Sequence, residues 1–362
     1  MDECDGVARG CLQLYVDDSV LTCVGTDEEI ETSFDIVLLW WLAMGIPLAW
    51  KKGSITEETE DHRWIGIMYS LTEHGALMRL PPDFLAELAI LIEPLCSSHG
   101  VVALADLDSI IGKAARVAHV VPHARPFVAG LWGALAAVQR SGLEGRREAP
   151  PGFAACRRFC YAASWVRALI TANEGSPLVL ERLVTAAPPS STSTSGWSVE
   201  FDASIYGGGA ILRNSEGIVT EHFAVVWQGD EAPHLPVEVG NSKDQTFWEF
   251  ATLLLCLIVW GNNFSESLLT VLGDNTGSLQ NSLSLRGRGP LLAVARELSW
   301  RQAKFGWKFK VGHLPSEYNV VADALSRIAD PTEKVGWPRH ALGAATAVTP
   351  PRLNQIWRAV PS

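Results

Sequence analysis

Gly312-His313-Leu314-Pro315-Ser316-Glu317-Tyr318-Asn319-Val320-Val321-Ala322-Asp323-Ala324-Leu325-Ser326-Arg327 is the stretch on which the reading of this chain turns. Pro315 and Asn319 are turn residues, so His313 is predicted to sit in a loop. Asp323 follows ten residues after His313, inside a short helical run. Alone, this is a loop and a helix start. It gains weight from three carboxylates upstream, each in an apolar setting: Asp202 in F-D-A-S, Glu249 in Q-T-F-W-E-F-A-T-L-L and Asp274 in T-V-L-G-D-N.

Working outward, Trp197 to Ser204, Gly209 to Arg213 and Ile218 to Trp227 read as three strands joined by glycine-rich turns. Ser242 to Val259 reads as a helix with Phe247, Ala251, Leu254 and Ile258 on one apolar face, and with Ser242 and Gln245 spaced as a capping box. Leu268 to Gly273 is an apolar strand ending at Asp274. Leu291 to Lys304 is helical. Trp307, Phe309 and Val311 alternate with Lys308 and Lys310 on a last strand. This order predicts an α/β unit, a mixed five-stranded sheet flanked by helices.

Two-metal hydrolysis of a phosphodiester needs divalent cations about 4 Å apart. Mg²⁺ takes hard oxygen ligands and keeps several waters, so three or four Asp or Glu from different elements suffice. Asp202 lies mid-strand, Glu249 on a helix, Asp274 at the C-terminal end of a strand and Asp323 at the start of the final helix. His313 is placed to shuttle a proton to or from a leaving oxygen. Singly, each acid is most simply a surface group among forty. Together, in this order, they point to hydrolysis.

The motifs D-A-S-x-x-G-G-G-A (Asp202), W-E-F-A (Glu249), G-D-N (Asp274) and H-L-P-S-E-Y-N-x-x-A-D-A-L-S-R (His313, Asp323) carry a family resemblance. Residues 197–330 resemble a type 1 ribonuclease H domain of the kind fused to reverse transcriptases in retroviruses and retrotransposons. The resemblance implies that Asp202, Glu249, Asp274 and Asp323 hold two Mg²⁺, with Mn²⁺ able to substitute. It also implies that His313 assists product release and that the substrate is an RNA/DNA hybrid. Asp202-Ala203-Ser204 lacks the D-x-E of DEDD exonucleases, and the set ends in Asp323 where integrases end in Glu. Arg286, Arg288, Arg296, Arg301, Lys304, Lys308 and Lys310 form a basic run with Glu297 as its only acid. That run is either a solvated helix face or a patch that tracks the hybrid's backbone, read by shape and 2′-OH groups.

The N-terminal part carries a second, weaker resemblance. Cys11 to Val24 alternates as a hairpin with Asp17 and Asp18 at its tip. Tyr15-Val16-Asp17-Asp18 resembles the Y-x-D-D hairpin of reverse transcriptases. Asp27 to Met44 reads as a helix whose second half, V-L-L-W-W-L-A-M, is apolar all round and therefore predicted buried. Ile46 to Trp50 reads as a short strand. The following G-I-P-L-A-W-K-K and R-W-I-G-I resemble later segments of that family, with Lys51 or Lys52 near the incoming nucleotide and Gly66 at the strand that grips the primer end. Trp64 to Leu71 and Ala76 to Leu80 read as strands. From Pro81 the period is helical, with helices over Ala105 to Val120, Phe127 to Gln139 and Phe153 to Ile170.

The expected organisation is a partial palm (1–80), a helical thumb and connection (81–185), the linker A-A-P-P-S-S-T-S-T-S-G (186–196), the ribonuclease H-like domain (197–330) and a loose extension (331–362). A polymerase's third carboxylate and its fingers would lie upstream of Met1. The chain alone is therefore not expected to synthesise DNA, and a separate polymerase segment or other retroelement proteins are its expected partners.

Composition narrows the setting. With 48% hydrophobic and 19% charged residues, the 362-residue chain reads as ordered and globular. A net charge of −11 opposes nucleic-acid binding in general, so local basic clusters must decide it. The seven cysteines are scattered without a C-x-x-C pair, which argues for a reducing compartment. The acidic start has no apolar signal region, and the uncharged run Ile36 to Trp50 is shorter than the roughly 20 residues a membrane span needs. The expectation is a cytoplasmic or nuclear protein with no membrane partner. The alternative function is a catalytically inactive remnant that only binds nucleic acid.

Overall fold

The computed structural model describes residues 9–15, 18–47, 60–72, 75–143, 148–171, 180–184, 194–264, 267–332 and 336–358. They belong to two compact units, one of residues 1–84 with 181–186, the other of 85–180 with 187–362.

In the first unit, β1 (Arg9–Tyr15) and β2 (Asp18–Val24) form the expected antiparallel hairpin, with Tyr15 opposite Asp18. Helix α1 (Asp27–Ala43) starts at a capping box between Thr26 and Glu29. Its apolar second half is exposed, not buried: Leu39 is 65% and Trp40 58% accessible. A two-stranded hairpin offers only one narrow face, too little to cover a helix that is apolar all round. No strand forms at Ile46 and Pro47, and the rest of that expected strand lies outside the described residues, as do Asp17, Lys51 and Lys52. Strands β3 (His62–Trp64), β4 (Ile67–Thr72), β5 (Gly75–Arg79) and β8 (Glu181–Val184) make a sheet in that order. The single strand expected over Trp64 to Leu71 is split because Ile65 (φ 45°) and Gly66 (φ 75°) form a two-residue hairpin turn with both residues left-handed.

Helix α2 (Pro82–Ile92) leads into the second unit. There β6 (Val101–Ala103), α3 (Leu104–Val120), α4 (Arg125–Leu143), β7 (Phe153–Ala155) and α5 (Cys160–Ile170) follow. The helix expected from Phe153 starts only at Cys160, because Phe153–Ala155 pairs with β6 instead. Leu107, Ile111, Val117, Leu131, Phe159 and Val166 close this part of the core.

The remaining elements are β9 (Thr194–Ala203), β10 (Gly207–Arg213), β11 (Val219–Val226), α6 (Gln245–Trp260), β12 (Leu268–Gly273), α7 (Thr276–Ser284), α8 (Pro290–Phe305), β13 (Phe309–His313), α9 (Val320–Ser326), α10 (Arg339–Leu342) and β14 (Thr346–Ala347). The sheet runs β13-β12-β9-β10-β11-β14. β9, β10 and β11 are antiparallel neighbours, whereas β12, β13 and β14 pair in parallel. The expected mixed five-stranded sheet flanked by helices is thus present, with β14 as a short sixth strand. Helix α7 has no counterpart in the sequence reading.

Helix α6 is the central strut: every residue from Phe247 to Leu257 is buried. With its flanking turns it is the one helix among the described residues long and apolar enough to cross a membrane, and here it packs inside the fold. The glycines of β10 let helices approach both faces of the sheet. A Cβ on Gly209 would lie 2.5 Å from Leu325 Cβ on α9, and one on Gly208 would lie 2.6 Å from Thr252 Oγ1 on α6.

The segment after Asp330, expected to be loose, is packed. β14 extends the sheet beside β11, and Leu353 and Ile356 are buried. Buried Glu231 accepts a hydrogen bond from Leu353 N at 2.9 Å and pairs with Arg352. The segment is irregular, so its burial leaves no helix or strand period in the sequence.

Candidate metal centre

Asp202 sits on β9 opposite Gly209, and Asp274 directly follows β12, the parallel neighbour of β9. Glu249 comes from the first half of α6, which crosses β9. One carboxylate oxygen from each of Asp202, Glu249 and Asp274 lies within 4.8 Å of the others. Asp202 and Glu249 are buried, at 5% and 2% exposure, and Asp274 is half-buried.

Three neutral donors reach this trio. Ser326 Oγ donates to Asp202 Oδ2 at 2.6 Å, Gln245 Nε2 to Glu249 Oε1 at 3.1 Å and Ser316 Oγ to Asp274 Oδ2 at 2.7 Å. Gln245 Nε2 also donates to Ala203 O at 2.5 Å. Gln245 is therefore not the capping-box partner of Ser242. Ser242–Asp244 form a short 3-10 turn capped by Asn241, whose side chain accepts from Lys243 N at 3.1 Å. Buried Asn319 donates to Phe201 O at 2.9 Å, which pins the loop after β13 onto the strand that carries Asp202.

Burial, with the charges of Asp274 and Asp323 added, pushes Asp202 up to about 7. Glu249 is raised well above the ordinary carboxylate range, by burial first and then by Asp202 and Asp274. Its Oε2 is buried without a hydrogen-bond partner. A crowded, largely buried, all-oxygen carboxylate set with one orphaned oxygen fits a hard divalent cation such as Mg²⁺ or Mn²⁺.

Asp323 stands apart from the trio. It lies in the first turn of α9, partly exposed, with Oδ1 accepting from Arg327 Nε at 2.6 Å. His313 ends β13, exposed, with its backbone opposite Gly273, the residue before Asp274. The structure therefore brings Asp202, Glu249 and Asp274 together and places His313 and Asp323 around them.

The basic run divides. Arg286, Arg288, Lys304, Lys308 and Lys310 are exposed. Arg296 is turned inward: its guanidinium lies 5.4 Å from the Tyr161 ring and 6.0 Å from that of Phe127. It fills the space beside Gly130, where a Cβ would come within 2.1 Å of it. Arg301 bonds buried Glu297 at 2.7 Å and Ile356 O at 3.0 Å. With Ser299 Oγ donating to His123 O at 2.6 Å, one side of α8 is docked on the preceding helices. Of the N-terminal motif residues, Gly66 occupies the β3–β4 turn, and the backbones of Tyr15 and Asp18 face each other across the hairpin.

Sequence reasoning gave Gln245 a capping role only and did not single out Ser316 or Ser326. The signal for Gln245 was its place four residues before Glu249 on a helix, one turn away on the same face. The serines stand inside the quoted motif, but their partners are distant in sequence.

No family model and no curated protein matches the chain. Among solved structures, ribonuclease H1 from Halobacterium salinarum NRC-1 is similar at 18% identity, over 38% of this chain and 98% of that one, with a TM-score of 0.29. A foamy viral protease-reverse transcriptase in complex with dsDNA is similar at 13% identity, over 84% of this chain and 55% of that one, with a TM-score of 0.31. Its dRH form, also with dsDNA, gives 13% identity, 84% and 46% coverage and a TM-score of 0.33. The chain spans about half the length of the foamy viral proteins.

Proposed function

We propose that this chain hydrolyses the RNA strand of RNA/DNA hybrids endonucleolytically, with a divalent cation, as part of a retroelement reverse transcriptase. The observation that carries the reading is the convergence of Asp202, Glu249 and Asp274 within 4.8 Å, with Glu249 Oε2 buried and unpaired. Asp202, Glu249, Asp274 and Asp323 would hold two Mg²⁺, for which Mn²⁺ substitutes. Bound there, the cations would supply charge neutralisation at the phosphate and a water of lowered pKa.

The chain's own residues have separable tasks. Ser326, Gln245 and Ser316 orient the carboxylates. Burial of Asp202 and Glu249 keeps bulk water from the deep side of the site. His313 is exposed beside Asp274, where it can hold a proton for the leaving oxygen. Arg286, Arg288, Lys304, Lys308 and Lys310 face solvent and suit the phosphate backbone of the hybrid. Such a substrate places the activity in the cytoplasm or nucleus. DNA synthesis is not proposed for this chain alone.

The test is cleavage of an end-labelled RNA/DNA hybrid in Mg²⁺ or Mn²⁺, beside an RNA/RNA duplex and an EDTA control. Metal-dependent cutting of the hybrid's RNA alone, abolished by Asp202→Asn, is expected. Absence of cutting by a folded sample that still binds the hybrid would overturn the enzymatic reading in favour of a binding remnant.

A further inference from the structure

Each carboxylate of the trio has one oxygen tethered by a neutral side chain, and the three tethers come from different places in the fold. Ser326 closes α9, Gln245 opens α6, and Ser316 lies in the loop between β13 and α9. Chance bonds at a surface would not give each acid its own donor. Nor would they leave the buried Glu249 Oε2 bare while Oε1 is held.

From this arrangement, and resting on the cation-dependent reading above, we propose that Ser326 and Gln245 are positioning residues that set the affinity of the site for its divalent cation. Ser316 is a weaker third. The chemistry of the donors is the reason. A lysine or arginine at the same distance would orient a carboxylate but also neutralise it, competing with the cation. A hydroxyl or amide fixes the carboxylate's rotation and leaves its charge available.

Packing ranks the three. Ser326 is buried, and its carbonyl accepts from Ser204 Oγ at 2.8 Å, which ties the end of α9 to the β9–β10 turn. Cβ atoms on Gly207 and Gly209 would come within 2.7 Å of Ser326 O and 2.6 Å of Ser326 N. Two glycines thus give the serine a fixed seat beside Asp202. Gln245 bridges Ala203 O and Glu249 Oε1 with the two hydrogens of one amide, locking α6 to the residue after Asp202. Ser316 is exposed, so water can replace its bond to Asp274.

The experiment measures Mn²⁺ binding directly, by loss of the free-ion electron paramagnetic resonance signal, on the full chain and on Ser326→Ala, Gln245→Leu, Ser316→Ala and Asp202→Asn. Circular dichroism and thermal unfolding are run on each. The wild-type chain is expected to bind Mn²⁺ and Asp202→Asn to lose that binding. Ser326→Ala and Gln245→Leu should weaken it by about 10–100-fold while keeping the wild-type circular dichroism, with Ser316→Ala within about threefold. The hybrid-cleavage deficit of Ser326→Ala and Gln245→Leu should shrink as Mn²⁺ is raised, which a merely structural defect would not show. Gln245 lies on a different element, so it decides the matter if Ser326→Ala does not fold. Wild-type affinity in both variants, beside lost binding in Asp202→Asn, would overturn the positioning role and leave the cation site standing. No Mn²⁺ binding by the wild-type chain would overturn both.

Discussion

Replacing Asp202 by asparagine is expected to stabilise the protein in EDTA at pH 8 while removing its response to Mg²⁺. The fold lifts this carboxyl from an ordinary 3.8 to about 7, chiefly by burial. That is a shift of about three units, each about 1.4 kcal/mol, so the ionised group costs the apo fold roughly 4 kcal/mol. The sign follows from linkage. A carboxyl whose folded pKa lies above its unfolded value is neutral in both states below about pH 4, so there it costs nothing. Between about pH 4 and about 7 the unfolded state has released its proton while the folded state still holds it, so stability is lost across that window and the full cost stands above it. Asparagine keeps the shape and an oxygen for the Ser326 hydroxyl but carries no charge. The gain should be greatest at pH 8 and absent near pH 4, on the order of 10 °C at its largest for a unit of this size. Differential scanning calorimetry of both proteins across this pH range checks it, following the transition that Mg²⁺ moves in the wild-type chain. An asparagine variant no more stable than wild type at pH 8, or a gain that does not shrink toward pH 4, would refute the claim that this carboxylate is held at a cost for a cation.

Arg296→Ala should lower stability by roughly 2–4 kcal/mol through loss of its partly buried aromatic seat, without changing the salt dependence of hybrid binding. Lys308→Ala should leave stability unchanged and reduce the salt slope by about 1, measured by fluorescence anisotropy across a KCl series. Gly209→Ala places a Cβ 2.5 Å from Leu325 Cβ and 2.6 Å from Ala322 O, which should cost about 1–3 kcal/mol in a urea titration. Ending the chain at residue 345 uncovers the sites of Leu353 and Ile356; a loss of roughly 3–6 kcal/mol is expected, and an unchanged urea midpoint would show the tail to be dispensable.

What the amino-acid order made legible is whatever depends on residue type and local period. Asp202 and Glu249 stood out because a carboxylate in an apolar strand or helix is expensive, and Asp274 because it ends an apolar strand. What stayed hidden depends on who meets whom across the fold. Ser242 and Gln245 have capping-box spacing, but the amide of Gln245 is drawn away by Ala203 O and Glu249, which lie on the site side of α6. The Ile65–Gly66 turn was masked because isoleucine is not a residue expected at positive φ. In α1 the apolar run correctly signalled a helix, but burial needs a partner surface that the sequence does not specify.

The basic run shows the same limit at the site's edge. Arg296, Arg301 and Lys304 all lie on α8, and composition treats them alike. Arg296 lies against Phe127 and Tyr161, and Arg301 against Glu297, so their charges serve the docking of one segment on another. Lys304, above Trp300 and exposed, is open to a ligand. An acidic protein can therefore suit a polyanion only through the few cations its own packing leaves outside: Lys304 on α8, Arg286 and Arg288 before it, and Lys308 and Lys310 after it. The buried trio poses the opposite problem. Its charges are unfavourable to the apo fold, and among the described residues the side chains that hydrogen-bond to it are neutral. A site whose local electrostatics oppose folding, while its neutral donors hold each acid in one orientation, is best explained by a cation that completes it.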